Sequence, residues 1–333
     1  MAELEAPVRL AVVGLGRVFE RFHLPALLDC TEARLVAAWD QSPERCTWAR
    51  EHLPGVPVTY DFADLLSYQA EALLVLTPPE THAPLTCAAL GAGLHVLVEK
   101  PMALGRAEAT QMADAARTAR RRLQIGFTRR FREPYRRVKA RLPSLDSRAT
   151  VAFELSFPPG GWGAGKDPTG GGVLDDVLPH QTDLLRFLLG TSPGRARVTS
   201  QTDQRIECEL EFPGGVIARC AAGHGAYREW LAVSLAGTSY VASGSLFREG
   251  SNAASGWGER LALVSDKASL AVARVLGTPN VTDRSFARQL RDFVAAVRGR
   301  AAAGAGPADG LAAIAVGDAC RRSLTTRDWA AVT

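Results

Sequence analysis

Two short stretches hold side chains suited to moving protons. Glu99-Lys100-Pro101 follows an apolar run over 94–98, which sets an amine just past a strand end. A lysine partly buried there could polarise a hydroxyl and exchange a proton near neutrality. Glu99 and Lys100 could equally be a surface ion pair. The second stretch is Gly170-Gly171-Gly172-Val173-Leu174-Asp175-Asp176-Val177-Leu178-Pro179-His180. Asp176 and His180 are four apart and would share one face of a helix over 176–189. Pro179 is tolerable only in a first turn, so that helix should begin near Asp176, with Asp176 near the N-cap. His180 could relay a carbinol proton, and the glycine run would let backbone approach a ligand closely. A purely structural histidine and aspartate is the competing reading.

The elements that position Lys100 alternate strand and helix. Strands are expected at 9–13, 34–39, 56–59, 72–76, 94–98 and 123–126. Helices are expected at 20–29, 43–52, 61–68, 80–92 and 105–121. Such alternation implies right-handed crossovers and a doubly wound parallel sheet of Rossmann type. Beyond residue 128 the pattern turns strand-rich over 148–157 and 196–247, with period-2 stretches such as 206–212. Pro213-Gly214-Gly215 reads as a hairpin turn. Helices are expected at 284–299 and 308–323. The division is therefore 1–127, a dinucleotide-binding domain, and 128–333, an α+β substrate and oligomerisation domain with a mostly antiparallel sheet.

The first strand runs into Gly14-Leu15-Gly16-Arg17-Val18-Phe19, which keeps the first two glycines of G-x-G-x-x-G and puts Phe19 at the third. Backbone at Gly14, Gly16, Arg17 and Val18 could approach a pyrophosphate at a helix N-terminus. On its own the motif is weak, and a plain turn would look the same. Asp40, ending the second strand, could accept hydrogen bonds from adenosine ribose hydroxyls, which favours NAD over NADP; Arg45 nearby could soften that preference. Thr77-Pro78-Pro79 follows the fourth strand and would line the cofactor crevice, with His82 at the start of the next helix.

Composition narrows the function classes. The chain has 333 residues, 47% hydrophobic and 22% charged, with a net charge of +4. No apolar run reaches the roughly 18 residues of a membrane span, and no basic-apolar leader opens the sequence. The six cysteines form no Cys-x-x-Cys pair and no zinc spacing, so reduced cytoplasmic thiols and no metal are expected. Four lysines against 35 arginines, with abundant Ala, Gly and Pro, suggest a GC-rich genome. The arginines cluster at 117–122 and 129–141, which reads as solvated helix surface and a connector rather than a nucleic-acid reader.

Taken together, these motifs resemble the Gfo/Idh/MocA family (glucose–fructose oxidoreductase, inositol dehydrogenase and relatives) over nearly the whole chain. The resemblance covers Gly14-Leu15-Gly16, His23 to Leu27, Thr77-Pro78-Pro79 with His82, and Glu99-Lys100-Pro101. It continues through Gly126 to Phe131, Trp162 to His180, Phe286 to Arg298 and Asp309 to Ser323. It implies NAD, hydride transfer at a carbinol or keto carbon of a sugar, aminosugar glycoside, sugar nucleotide or cyclitol, and a homodimer or homotetramer. By it Lys100, Asp176 and His180 are catalytic, and Glu99 and Lys100 border the cofactor. Arg129, Trp162 and Asp175 join the three catalytic groups at the substrate. Thr128, where relatives often carry Asn, Gly163, where many carry Arg, and Asp175, in place of an apolar residue, leave the substrate open. Asp175 could favour an amine-bearing sugar, and the arginines of 129–137 a phosphate. Secondary metabolism, such as antibiotic biosynthesis, is the expected setting. A non-catalytic NAD-sensing regulator and a glycoside-cleaving enzyme of the same fold are the competing expectations.

Overall fold

The computed structural model describes residues 6–158, 172–244, 246–251, 284–300 and 304–333. It divides into two units, Met1–Phe127 with Phe286–Leu311, and Thr128–Ser285 with Ala312–Thr333.

The first unit is built on six parallel strands: β1 (Val8–Val13), β2 (Ala33–Trp39), β3 (Val58–Thr59), β4 (Ala72–Val75), β5 (His95–Val98) and β6 (Leu123–Ile125). Their order is β3-β2-β1-β4-β5-β6, so the winding reverses between β1 and β4, the place where such sheets bind ligands. The centre of β1 and all of β4 are apolar and buried, as a sheet covered on both faces requires. The intervening helices are α1 (Leu24–Leu28), α2 (Pro43–His52), α3 (Phe62–Leu66), α4 (His82–Gly91) and α5 (Arg106–Ala119). The single helix expected over 20–29 is split: a π-helical turn at Phe19–His23 precedes α1. Pro25 has no N–H to donate to the Arg21 carbonyl, which breaks regular α bonding there.

A helix from the C-terminal half also belongs to this unit. Leu290, Phe293 and Val294 of Ser285–Val297 share one buried cluster with Leu10, Val12, Ala38 and Leu74. The segment expected with residues 128–333 thus groups with the parallel sheet, because its strongly one-sided apolar stripe is buried among those strands. Ala305, a little further on, accepts from the Ile125 N–H at 2.8 Å.

The second unit carries an eight-stranded sheet. Its strands are β7 (Thr150–Phe157), β8 (Arg195–Thr202), β9 (Arg205–Phe212), β10 (Val216–His224), β11 (Arg228–Leu235), β12 (Thr238–Ser243), β13 (Leu246–Ser251) and β14 (Ala330–Ala331). The order is β13-β12-β11-β7-β10-β9-β8-β14, antiparallel except between β7 and β10. Strict alternation of buried and half-buried residues along β9 shows one face turned to the core. Its helices include α6 (Glu133–Arg141), α7 (Val173–Asp176) and α8 (Leu178–Leu189).

A buried carboxylate anchors the segment that opens this unit. Glu229, on β11, accepts from Arg129 Nε at 3.2 Å, Arg132 Nη1 at 2.5 Å, the Tyr135 hydroxyl at 2.7 Å and the Tyr227 hydroxyl. Burial pushes the Glu229 pKa up, but Arg129 and Arg132, aided by the two hydroxyls, outweigh it and hold it at about 2. Beside it, Arg130 grips Asp183 of α8 with Nε at 3.0 and 2.9 Å and Nη2 at 2.5 Å. Arg129, expected at the substrate, is buried and pairs through Nε with a carboxylate that cannot be buried alone.

Because the folded Glu229 pKa lies below its ordinary value, its contribution is full above that value and is lost as the pH falls toward about 2. On the order of 3 kcal/mol is at stake. Urea denaturation should show stability falling between about pH 4.5 and 2. Glu229→Gln should blunt that fall and cost about 3–5 kcal/mol at neutral pH, by leaving two guanidiniums poorly compensated.

Candidate active site

At the carboxyl edge of the parallel sheet, Gly14 adopts φ +91°, and a Cβ there would stand 2.6 Å from the Leu76 carbonyl carbon and 2.8 Å from the Thr77 nitrogen. Only glycine allows the turn after β1 to press onto the end of β4. By contrast, a Cβ on Gly16 would meet nothing within 4 Å, so open space lies over that glycine. The Gly14 N–H donates to Trp39 O at 2.9 Å, and Glu20 N donates to Gly16 O at 3.0 Å, which starts the helical turn through Arg17 and Val18. Asp40 accepts from Leu15 N at 2.7 Å through Oδ2 and from Ser42 N at 2.8 Å through Oδ1. Each oxygen keeps a second lone pair, so the carboxylate can still receive ribose hydroxyls.

The loops after β4 and β5 are fastened beneath by one imidazole. His82 is fully buried; Nδ1 lies 2.8 Å from Pro101 O and Nε2 2.9 Å from Thr77 O. Burial lowers its pKa, opposed by the two carbonyls, and a neutral ring donates to one of them at a time. The residue expected to touch the cofactor therefore acts through the loops it staples. Above it Thr77 receives the Thr81 hydroxyl at 2.6 Å, and Pro78 precedes a 3₁₀ turn over Pro79–Thr81.

Lys100 is half-buried just beyond β5, and its bond to Pro101 is cis. Glu99 lies across from His23: Oε1 is 2.9 Å from His23 Nε2, and Oε2 accepts from Lys100 N at 3.2 Å. His23 is itself buried and packs edge-on against Phe286 at 5.1 Å. A Cβ on Gly126 would fall 2.9 Å from Glu99 Oε2 and 3.0 Å from its Cα, so glycine is needed on β6's side as well. Glu99 thus fixes the backbone that carries Lys100.

In the second unit Gly172, at φ +68°, opens the short helix α7, and Asp176 closes it. The chain then breaks at Val177 and restarts as α8, with Pro179 in its first turn and His180 just after. The helix expected over 176–189 begins at Leu178, and Asp176 ends a separate short helix before it rather than standing near its N-cap. Asp176 and His180 are 4% and 7% exposed. Asp176 Oδ2 lies 3.1 Å from Nε2 of His224, the last residue of β10. Phe157, which pairs with His224 across the β7–β10 ladder, has its ring centroid 6.2 Å from both imidazoles. Gln181 secures this end of α8, donating to Phe153 O at 2.7 Å and Ala221 O at 3.2 Å.

His224 escaped the sequence-based expectations. It stands 44 positions beyond His180 and has no helical spacing to anything acidic; its one signal is a histidine between two glycines at a strand end. Asp175 is a correction of the opposite kind. Both its oxygens are 2.5 Å from Arg321 Nη2, so the carboxylate proposed to favour an amine-bearing sugar is already paired within the fold. Trp162, Gly163, Gly170 and Gly171 lie outside the described residues. Among the described residues no group of three or more His, Cys, Asp or Glu is placed to hold a metal, and no helix is long and apolar enough to cross a membrane.

The tight contact at Gly14 makes a direct test. Gly14→Ala should push the turn off Leu76 and weaken dinucleotide binding by about tenfold or more, about 1.4 kcal/mol. Gly16→Ala, with open space at its Cβ position, should keep the folded stability of the parent. Isothermal titration and thermal melts on the two variants check this.

The geometry has counterparts among known proteins. A family model described as "Oxidoreductase family, NAD-binding Rossmann fold" matches residues 8–127, and one described as "Oxidoreductase family, C-terminal alpha/beta domain" matches residues 147–332. The rhizopine catabolism protein MocA of Rhizobium meliloti is 27% identical over 95% of both chains. The D-glucoside 3-dehydrogenase of Escherichia coli K12 is 28% identical over 62% of this chain and 60% of its own. Against two other curated relatives the chain spans only 52% and 56% of their length. The crystal structure of myo-inositol 2-dehydrogenase from Lactobacillus plantarum superposes with a TM-score of 0.75 at 23% identity, covering 98% of this chain and all of that one, which shows a shared fold. Parallel sheet, NAD-binding turn and C-terminal α/β unit together make this chain a member of the Gfo/Idh/MocA oxidoreductase family.

Proposed function

We propose that this chain catalyses reversible hydride transfer between NAD and a carbinol or keto carbon of a sugar or cyclitol. The observation that supports the reading most is the pairing of a buried Asp176 with His224, with the Phe157 ring 6.2 Å from both His224 and His180. Relatives named for a D-glucoside and for inositol support the substrate class. A finer assignment is a substrate of secondary metabolism, an aminosugar glycoside or sugar nucleotide among them. With Asp175 held by Arg321, any selection for an amine falls to Asp176 and to groups outside the described residues.

The cofactor site suits NAD on this chain's own features. Gly14 brings backbone close, Gly16 leaves room, and Asp40 presents a carboxylate that would repel a ribose phosphate. Bound NAD supplies the hydride acceptor. The protein's part is to handle the proton and the oxygen. Lys100 donates to the substrate hydroxyl and polarises its O–H bond. His180 accepts the proton as the carbinol becomes a carbonyl. Asp176 orients the substrate and balances the charge that His180 acquires. In the reducing direction His180 returns the proton to the nascent oxyanion while Lys100 stabilises it. Homo-oligomeric assembly in the cytoplasm is part of the same proposal.

Mixing the protein with NAD and a panel of hexoses, methyl glucosides and inositols should raise the NADH absorbance band for at least one member. Lys100→Met should cut kcat by about 10²–10⁴ while isothermal titration shows NAD still bound. A silent panel in which NAD binds tightly would favour a sensing role. Glycoside cleavage without accumulated NADH would favour transient oxidation. Unaltered turnover in Lys100→Met would remove the lysine from the chemistry.

A further inference from the structure

We propose that His224 is a positioning residue of this site, holding the Asp176 carboxylate in a single ionised orientation by donating to it from Nε2; the inference rests on the reading of Asp176 as a site residue given above.

Three observations carry it. The contact is short and secluded: Nε2 and Oδ2 are 3.1 Å apart, with the side chains 8% and 5% exposed. A carboxylate so buried must be hydrogen-bonded to stay charged, and its neighbour Asp175 is turned to Arg321 instead. Second, the imidazole is fixed from its own strand. His224 ends β10 with its N–H donating to Gln204 O at 2.7 Å, and its backbone is in register with Phe157 on β7. The ring therefore comes from the rigid sheet, whereas Asp176 ends a single-turn helix that breaks at the next residue. A donor on a rigid element holding an acceptor on a pliable one is how a neighbouring group sets the aim of a reactive one. Third, the Phe157 ring lies 6.2 Å from the ring of each imidazole, so one aromatic side chain packs against both. In the proposal the imidazoles have different tasks: His180 exchanges protons with the substrate, and His224 addresses the carboxylate. Among the described residues, Asp176 is the titratable group in direct contact with His224, and the Phe157 ring packs near both His224 and His180.

The hydrogen-bond donor, rather than the imidazole's proton affinity, is the working part. Gln places an amide N–H near the position of Nε2 and does not titrate; Phe keeps the ring's bulk and has no donor. With the best substrate of the panel, His224→Phe should lower kcat at least tenfold with NAD affinity unchanged. His224→Gln should recover to within about threefold of the parent, given that one hydrogen bond to a charge is worth about 1.5–3 kcal/mol. The acid limb of the kcat–pH profile should keep its shape in His224→Gln.

A second readout needs no turnover. In protein labelled with ¹⁵N-histidine, the His224 Nε2 should be protonated at neutral pH, and its proton resonance should move upfield in Asp176→Asn. An inactive wild-type protein would overturn the proposed function and leave this measurement to decide the His224–Asp176 pairing. A bare Nε2, full activity in His224→Phe, or a Gln variant as impaired as the Phe variant would each overturn the inference.

Discussion

The closest backbone approaches in the first unit occur where a missing side chain lets one strand end lie against another. At Gly14 the turn after β1 meets the Leu76–Thr77 peptide at distances no Cβ could share, and at Gly126 the chain leaving β6 meets Glu99 in the same way. These two contacts define the carboxyl edge of the sheet. Because the turn is pressed onto β4, the Leu15 N–H reaches Asp40 and ties the end of β2 to it. Because Gly126 yields space, Glu99 fits between β6 and His23, and Lys100 starts from a fixed backbone. The glycine turn, the position of Asp40 and the backbone of Lys100 are thus set by these two close contacts.

Buried charge is used in two distinct ways. Glu229, Asp183 and Asp175 are each gripped by guanidinium groups, and Glu99 by an imidazole. Such pairs add little net stability over an apolar replacement, but removing one partner is costly, so they specify the arrangement of the elements they join. Asp176, like Glu99, is addressed by an imidazole, that of His224. A single imidazole nitrogen meets a carboxylate at one oxygen, whereas a guanidinium can take both. The contrast between adjacent Asp175 and Asp176 is instructive: one turn of helix sends the first to Arg321 and the second to His224.

Much of the organisation was legible along the chain. Alternating apolar runs and helical stretches marked the parallel sheet, and period-2 burial marked β9, with Pro213-Gly214-Gly215 turning into β10 as expected. Glycine, aspartate and the Glu-Lys-Pro segment announced the family because each sits at a fixed offset from a strand end, and strand ends are set by local pattern. Helix continuity was less legible. Pro25 splits what periodicity alone joins, since periodicity counts side chains and takes no notice of a missing N–H, whereas Pro179 sits in the first turn of α8 as its missing N–H requires.

The sequence by itself determined the fold class and the glycine turn after the first strand, and it singled out the lysine, aspartate and histidine proposed for proton transfer, since those follow from short-range spacing and side-chain chemistry. Only the tertiary structure decided which charges are spent and which are kept. It gave Arg129 to Glu229 and Asp175 to Arg321, buried His82 under two loops, placed the 285–297 helix with the parallel sheet, and brought His224 to Asp176 across 48 residues. Pairings of that kind depend on strand order and register, which close contacts between positions far apart in the chain, and no local pattern carries that information.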